Sequence, residues 1–90
     1  MIKRLDYKVP GGKLIRIKAD LENGQIRVIA ISGDFFIHPE DVLTGLEDSL
    51  KGILVSDVHA LSDAIDSALA AATLIGFSKQ DILTCISRID

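Results

Sequence analysis

Residues that could do chemistry are few in this chain, and several of them gather at a turn that contains two glycines. Gly11, Gly12 and Lys13 place successive backbone amides beside an ammonium group, an arrangement that suits a bound phosphate. The segment is not a Walker loop, because the upstream glycine and the Ser or Thr of that motif are missing. A plain turn between two strands is the alternative interpretation.

The remaining nucleophiles, bases and metal ligands are isolated from one another. His38 and His59 have no Cys or acid at ligand spacing, so we expect no metal site. Cys85 falls near the apolar stripe of a predicted helix and is interpreted as a small buried hydrophobic residue. Because no nucleophile–base pair or carboxylate pair has a catalytic spacing, we expect no catalytic residue and no complete active site on this chain.

A second turn, Gly33-Asp34, leads into two neighbouring aromatic residues, Phe35 and Phe36, with His38 shortly after them. The chain has only three phenylalanines, so this pair is conspicuous. Two adjacent rings on a connection from strand to helix are difficult to hide together in one small core. We therefore expect one ring to point into the domain and the other to anchor a partner. The alternative is that both rings fill the end of the core.

The composition predicts one small domain, residues 1–90, with more apolar surface than it can bury. Hydrophobic residues make up 48% of the chain and the mean hydropathy is +0.33. A domain of this size has only a modest core, so the surplus suggests a permanent protein partner. No segment reaches the ~20 apolar residues of a membrane span. A secretory signal is not found and one cysteine cannot form an intramolecular disulfide, so we predict a cytoplasmic protein without a membrane partner.

Charge is distributed unevenly along the chain. Residues 1–28 contain seven Lys or Arg against three Asp or Glu, a net charge of +4. The rest contains three bases against ten acids, a net charge of −7. The first third could therefore face an anionic ligand or an acidic partner, and a solvated sheet face is the alternative.

The first third is predicted to form antiparallel strands. Apolar and charged residues alternate in two runs separated by Pro10-Gly11-Gly12, and Asn23-Gly24 after them is typical of a two-residue type I′ hairpin turn. Such a turn fixes the register of the pairing. The expected inward residues are Leu5, Tyr7 and Val9 in the first run and Ile15, Ile17, Ala19 and Leu21 in the second. The expected apolar pairs are Leu21–Ile26, Ala19–Val28 and Ile17–Ala30, with an ion pair Asp20–Arg27 on the other face.

Three helices are predicted in the rest of the chain. Pro39 suits the first position of one helix, and Ser56 would cap a longer helix that ends at Gly76. Ser78 to Asp81 resembles a capping box at the start of the last helix. The expected apolar stripes are Val42, Leu43, Leu46 and Leu50, then Val58, Leu61, Ile65, Leu69 and Ala72, and then Ile82, Leu83, Ile86 and Ile89. The expected fold is α+β: an antiparallel sheet with a β-hairpin in the first third, covered on one face by about three helices.

Several of these segments occur in a recognisable order. They are Tyr7 to Arg16 with its Gly-Gly-Lys-Leu, Ile31 to Phe36 with its Gly-Asp-Phe-Phe, then Pro39-Glu40, and then Leu46-Glu47 through Leu50-Lys51-Gly52. In this combination the chain resembles the C-terminal accessory domain of lipoate–protein ligase, most sharply over residues 7–52. The resemblance implies an α+β domain similar in topology to iron–sulfur scaffold proteins of the SufE/NifU type.

The resemblance also implies a role for the chain and for its turns. The chain would be the accessory subunit of a two-subunit ligase, a heterodimer with a separate catalytic subunit. The complex would use ATP, Mg and lipoate to form lipoyl-adenylate and then modify a lysine of a lipoyl-carrier domain, whereas this chain alone would bind no cofactor. Asp34, Phe35 and Phe36, with His38, would form the docking corner. Residues 11–13 would lie close to the nucleotide or to the catalytic subunit's loops.

Two other functions are alternatives to the ligase function. An iron–sulfur scaffold, or a small protein-interaction module without catalysis, has a compatible topology. A scaffold needs several cysteines, whereas this chain has only Cys85. A nucleic-acid-binding module would interleave basic residues with exposed aromatic ones, and the basic third offers only Tyr7, so we expect no nucleic-acid partner.

Overall fold

The computed structural model describes residues 1–89, in which strands precede helices with one exception. The elements are β1 (Ile2–Lys8), β2 (Leu14–Glu22), β3 (Gln25–Gly33), β4 (Phe36–His38), α1 (Asp41–Leu50), α2 (Val58–Ala68), β5 (Thr73–Ile75) and α3 (Lys79–Arg88). Strands β1, β2 and β3 form an antiparallel sheet in that order, and β4 and β5 pair as a second, two-stranded sheet. The predicted α+β class is confirmed.

One face of the three-stranded sheet packs against the helices and forms one side of the core. Along the central strand β2, Ile15, Ile17 and Ala19 are buried, whereas Arg16 and Lys18 between them are exposed, as the alternation predicted. Helix α1 packs on β3, α3 packs on β1 and β2, and α2 packs against the other two helices. The helices contribute buried apolar residues, among them Leu46, Leu50, Leu61, Ile65, Ile82 and Ile86. Burial of each such side chain contributes about 1.5–3 kcal/mol to folding.

The hairpin between β2 and β3 has the predicted turn but a different register. Asn23 and Gly24 have φ of 54° and 80°, as a type I′ turn requires, and Leu21 lies opposite Ile26. Beyond that pair the register shifts by one residue at a β-bulge. The predicted Ala19–Val28 and Ile17–Ala30 pairs are therefore wrong. The observed partners are Ala19–Ile29 and Ile17–Ile31.

The bulge is explained by the side chains that it directs into the core. An unshifted strand would bury Val28 and Ala30, whereas the bulge buries the larger Ile29 and Ile31 and leaves Val28 56% exposed. Arg27 is the additional residue.

The bulge also removes the ion pair that the simple register predicted. The guanidinium of Arg27 lies 3.0 Å from the carboxylate of Glu22, and Asp20 instead contacts the N-terminal ammonium group of Met1 at 3.0 Å. The predicted Asp20–Arg27 ion pair is therefore wrong. Both observed pairs lie at the surface, where an ion pair contributes less than about 1 kcal/mol.

The first two helices begin one or two residues later than expected. Helix α1 begins at Asp41, because Pro39 and Glu40 form a turn in which the Pro39 carbonyl accepts a hydrogen bond of 3.2 Å from the Val42 N–H. Asp57 rather than Ser56 caps α2, and its carboxylate accepts a hydrogen bond of 3.1 Å from the Ala60 N–H. The predicted positions of Pro39 and Ser56 in these helices are therefore wrong.

Helix α2 is shorter than expected and is followed by a strand that the sequence reading missed. The helix ends at Ala68 and the chain turns back, so that Thr73–Ile75 pairs antiparallel with Phe36–His38. Gly76 thus ends a strand rather than a helix. The alternating β-branched residues Thr73 and Ile75 favour this strand. Pairing with β4 gives hydrogen-bond partners to backbone N–H and C=O groups that a lone strand would leave without them.

Helix α3 begins as predicted. The Ser78 hydroxyl accepts a hydrogen bond of 3.2 Å from the Asp81 N–H, while the Asp81 carboxylate accepts one of 2.7 Å from the Ser78 N–H. This reciprocal pair confirms the capping box. None of the helices within residues 1–89 has the length and apolar character needed to cross a membrane.

Candidate partner-docking site

The Gly33-Asp34 turn and the Gly-Gly-Lys-Leu segment are held together by two hydrogen bonds. The Leu14 N–H donates to Oδ1 of Asp34 at 2.7 Å, and the Asp34 N–H donates to the Leu14 carbonyl at 3.3 Å. Gly33 must lack a side chain, because a Cβ there would clash with the Leu14 carbonyl oxygen. Asp34 therefore supports the backbone at this junction, in addition to the docking role expected from the sequence.

The Gly-Gly-Lys turn is fixed against the end of β5. The Gly12 N–H donates to the Val9 carbonyl at 2.8 Å, and the Lys13 N–H donates to the Gly76 carbonyl at 2.9 Å. Gly11 has φ of 69°, which favours glycine. Since two amides of residues 11–13 are used inside the protein, the backbone nest for phosphate is not formed. Lys13 is exposed, so its side chain can reach a ligand or partner.

The two neighbouring rings point in different directions, whereas the anchoring of a partner by the outer ring stays a prediction. Phe35 is half-buried and packs against the buried Phe77, with ring centroids 4.4 Å apart. Phe36 is 68% exposed. Phe35 is therefore the inward ring and Phe36 the outward ring, a choice that the sequence left open.

Strands β4 and β5 present Phe36 on a small ordered surface. Phe36 lies opposite Ile75, which is 57% exposed, and His38 lies opposite Thr73. All four side chains are exposed and share one face because side chains alternate along a strand. We call Phe36, His38, Thr73 and Ile75 the Phe36 face. It includes two of the residues singled out in the sequence, Phe36 and His38.

A groove adjoins the Phe36 face on the side of β3 and α1. Its volume is about 470 Å³, and its lining includes Ser32, Phe36, Glu40 and Leu43. Apolar side chains and a carboxylate meet there, so the groove offers both contact area and a hydrogen-bond acceptor to a partner.

Ile75 is a member of this site that the sequence does not predict. The signal for its strand is the short run Thr73-Leu74-Ile75, in which β-branched residues flank a half-buried leucine. The apolar pattern instead predicts a helix through this run, because periodicity alone does not separate short strands from helix ends.

Other candidate groups lie elsewhere. His59 is exposed on α2, apart from His38 on β4. Cys85 is fully buried in α3, and burial raises the pKa of its thiol to about 11, with the nearby Asp81 carboxylate adding to the effect. Among residues 1–89, no group of three or more His, Cys, Asp and Glu is placed to hold a metal ion.

Comparison with known proteins gives one consistent result. Residues 3–86 match the family described as bacterial lipoate protein ligase C-terminus. A curated relative, lipoate-protein ligase A subunit 2 of Thermoplasma acidophilum, is 46% identical over 65 residues, which cover 72% of this chain and 65% of the relative. The match thus spans less than two thirds of the relative's length.

A solved structure from the same organism shares the fold. It is described as a bi-partite lipoate protein ligase and its E2 lipoyl domain from Thermoplasma acidophilum. The matched chain superposes with a TM-score of 0.80 and 32% identity, over 96% of this chain and 94% of that one. Since the family match covers nearly the whole chain, the protein belongs to the family of lipoate–protein ligase C-terminal domains.

Proposed function

We propose that this chain is the accessory subunit of a two-subunit lipoate–protein ligase. It assists a catalytic subunit in the ATP-dependent activation of lipoate to lipoyl-adenylate, before the lipoyl group is transferred to a lysine of a lipoyl-carrier domain. Two matches support the proposal, because one relative is named as subunit 2 and the solved neighbour is described as bi-partite. ATP and lipoate are then substrates of the complex and Mg is its metal cofactor, and the catalytic subunit supplies most of their binding site.

The observation that carries the proposal is the exposed Phe36–Ile75 pair. Two large apolar side chains lie opposite each other on β4 and β5 and adjoin the groove of about 470 Å³. Such a surface gains free energy when a partner removes it from water, and aromatic anchors often dominate the energy of an interface. Backbone pairing of β4 with β5 holds the ring in place, which lowers the entropy lost on binding.

The proposed mechanism is conformational. Docking of the catalytic subunit on the Phe36 face orders its adenylate-binding loops and excludes water from the reacting phosphate. Lys13 takes part because its side chain lies against Gly76, next to Ile75 of that face. The Lys13 ammonium group is therefore carried to the edge of the interface, where it meets the negative charge of the nucleotide or of a loop.

Reconstitution tests this function. Pyrophosphate release is followed in three samples, each supplied with ATP, Mg and lipoate. The samples contain this chain alone, a catalytic lipoate–protein ligase subunit that lacks this domain, and the mixture of the two. We expect release only from the mixture, whereas transfer from preformed lipoyl-adenylate depends much less on this chain. Full adenylation by the catalytic subunit alone, or none by the mixture, would overturn the proposal.

The structure disfavours the iron–sulfur scaffold alternative. Metal ligation and sulfur transfer need an accessible thiolate. Cys85 is fully buried and its pKa is raised to about 11, so it is a neutral thiol in the core at physiological pH.

A further inference from the structure

The outer face of the three-stranded sheet carries two cationic side chains directly opposite each other. Arg4 on β1 is paired with Lys18 on β2, and both side chains are exposed. Neither forms an ion pair with another residue of the described chain. Like charges directly opposite on a sheet are destabilising, so this pair does not serve the stability of the isolated domain.

Small residues on β3 leave space beside this pair. Ala30 lies opposite Lys18 and Ser32 lies opposite Arg16, which places two short side chains next to three long basic ones. The resulting cavity has a volume of about 300 Å³. We call it the basic trough, and its lining includes Arg4, Asp6, Arg16, Lys18, Ala30 and Ser32.

The charges of the basic trough are only partly compensated. Oδ1 of Asp6 lies 3.1 Å from Nε of Arg16, so this acid is already paired. Arg4 and Lys18 keep their charges available to an anionic partner. The lining contains no aromatic side chain, and nucleic-acid strands bind such surfaces through base stacking as well as charge. Charge complementarity therefore favours carboxylates on a protein chain.

The basic trough is continuous with the groove beside the Phe36 face. Ser32 lines both cavities, one on the outer side of β3 and the other between β3 and α1. A single polypeptide segment can therefore cross the end of β3 from one to the other.

We propose that the basic trough binds an acidic segment of the catalytic subunit and forms one docking surface with the Phe36 face. The identity of this partner rests on the function proposed above. Carboxylates of the segment face Arg4 and Lys18, and the same segment reaches Phe36 past Ser32. Since exposed charges act at long range, the basic trough mainly accelerates association. The contact of Phe36, which is buried in the complex, mainly slows dissociation.

Charge reversal tests the proposal. Arg4→Glu/Lys18→Glu is compared with Arg27→Glu/Lys51→Glu, which makes the same change in net charge outside the basic trough. Association with the catalytic subunit is measured at roughly 0.02 M and 0.5 M ionic strength, where screening differs strongly. We expect the trough variant to associate about tenfold or more slowly at low salt and to lose most of its salt dependence. An equal effect of both variants would overturn the proposal.

A single variant separates docking from folding. Arg4→Glu places an acid opposite Lys18, so the isolated domain should melt at a higher temperature while association becomes slower. Slower association of a better-folded protein cannot be attributed to unfolding. A normal association rate for Arg4→Glu and for the double variant would contradict the proposal.

The remaining controls separate the proposal from the function on which it rests. If the unmodified chain forms no complex and does not restore adenylation, the proposed function fails. If the complex forms and adenylates lipoate but the trough variant behaves like its control, only the basic trough is excluded. Self-association of the chain, or binding of a labelled RNA, that is lost in the trough variant would assign the basic trough to another occupant and overturn the proposal.

Discussion

The backbone N–H of Lys13 donates a hydrogen bond of 2.9 Å to the carbonyl of Gly76. This contact joins the turn between β1 and β2 to the residue that follows β5. A Cβ on Gly12 would lie 2.5 Å from the same carbonyl oxygen and 2.8 Å from a methyl carbon of Val9. The Phe36 face is therefore held in position by a close approach of two backbone segments, for which Gly12 is required.

We expect Gly12→Ala to destabilise the domain, by about 1–3 kcal/mol, because the backbone of residue 76 must move away from the new methyl group. Gly45→Ala is the matched control. Gly45 lies within α1 with open space around its Cβ position, so alanine there should stabilise the domain by roughly 0.5–1 kcal/mol. Urea unfolding monitored by circular dichroism gives both values. A neutral Gly12→Ala would show that the contact with Gly76 is not tight.

Truncation of the two neighbouring rings should separate binding from stability. Phe36→Ala should weaken binding to the catalytic subunit by about 2 kcal/mol or more, with little change in melting temperature, because the ring is 68% exposed. Phe35→Ala should cost about 3 kcal/mol of stability, because its ring packs on Phe77. Calorimetry measures the affinities and thermal unfolding the stabilities.

Val58→Ala is the control for the loss of an exposed apolar side chain, since Val58 is 51% exposed at the start of α2, outside the Phe36 face. It should leave the affinity unchanged. If Phe36→Ala also leaves the affinity unchanged, the Phe36 face is not the interface.

The parts of the fold that the sequence predicts correctly are those determined by neighbouring residues. The Asn23-Gly24 turn and the Ser78–Asp81 capping box depend on local backbone preferences, and both are present. The bulge at Arg27 depends instead on which side chains fit the core, since two isoleucines replace a valine and an alanine inside. The competition between these side chains for space in the core involves residues distant in sequence, so a local sequence pattern does not reveal it.

The candidate site shows the same division. The sequence predicts Phe36 as a candidate site residue from its type and position. Its outward direction, however, depends on the pairing of β4 with β5, two strands that are separated by two helices. Similarly, the glycines at positions 11 and 12 suggested a phosphate nest. Only the structure shows that the amides of Gly12 and Lys13 donate hydrogen bonds to the carbonyls of Val9 and Gly76. Long-range backbone pairing is the information that the sequence reading lacked.

The buried thiol of Cys85 should make stability depend on pH in the alkaline range. Burial raises its pKa to about 11, whereas the thiol of the unfolded chain has the ordinary pKa of 9.0. At a pH below the unfolded pKa, the thiol keeps its proton in both states, and its contribution to stability is fully present. As the pH rises from the unfolded value to the folded value, only the unfolded state ionises, so about 2–3 kcal/mol of stability is lost by about pH 11.

Cys85→Ala is the comparison that isolates this effect from the titration of lysines and tyrosine. The variant is less stable at neutral pH because of the cavity, but its deficit in stability relative to the unmodified chain should shrink between pH 9.0 and about 11. Urea unfolding at a series of pH values measures the difference. A deficit that is constant with pH would show that Cys85 ionises equally in both states.

Lys13 provides the most direct test of a role in the reaction itself. If its ammonium group meets the nucleotide or a catalytic loop, Lys13→Ala should slow lipoyl-adenylate formation by the complex on the order of tenfold, which corresponds to about 1.4 kcal/mol of transition-state stabilisation. The affinity between the subunits should be unchanged, because the amide of residue 13 still binds the Gly76 carbonyl in the alanine variant.

Lys51→Ala is the control for the loss of a distant lysine, since Lys51 follows α1 and pairs with Asp48. Pyrophosphate release at saturating subunit concentration measures the rate, and Lys13→Arg should restore part of it by keeping the charge. An unchanged rate for Lys13→Ala would leave the Gly-Gly-Lys segment with a structural role alone, as the turn that fixes β5 beside the start of β2.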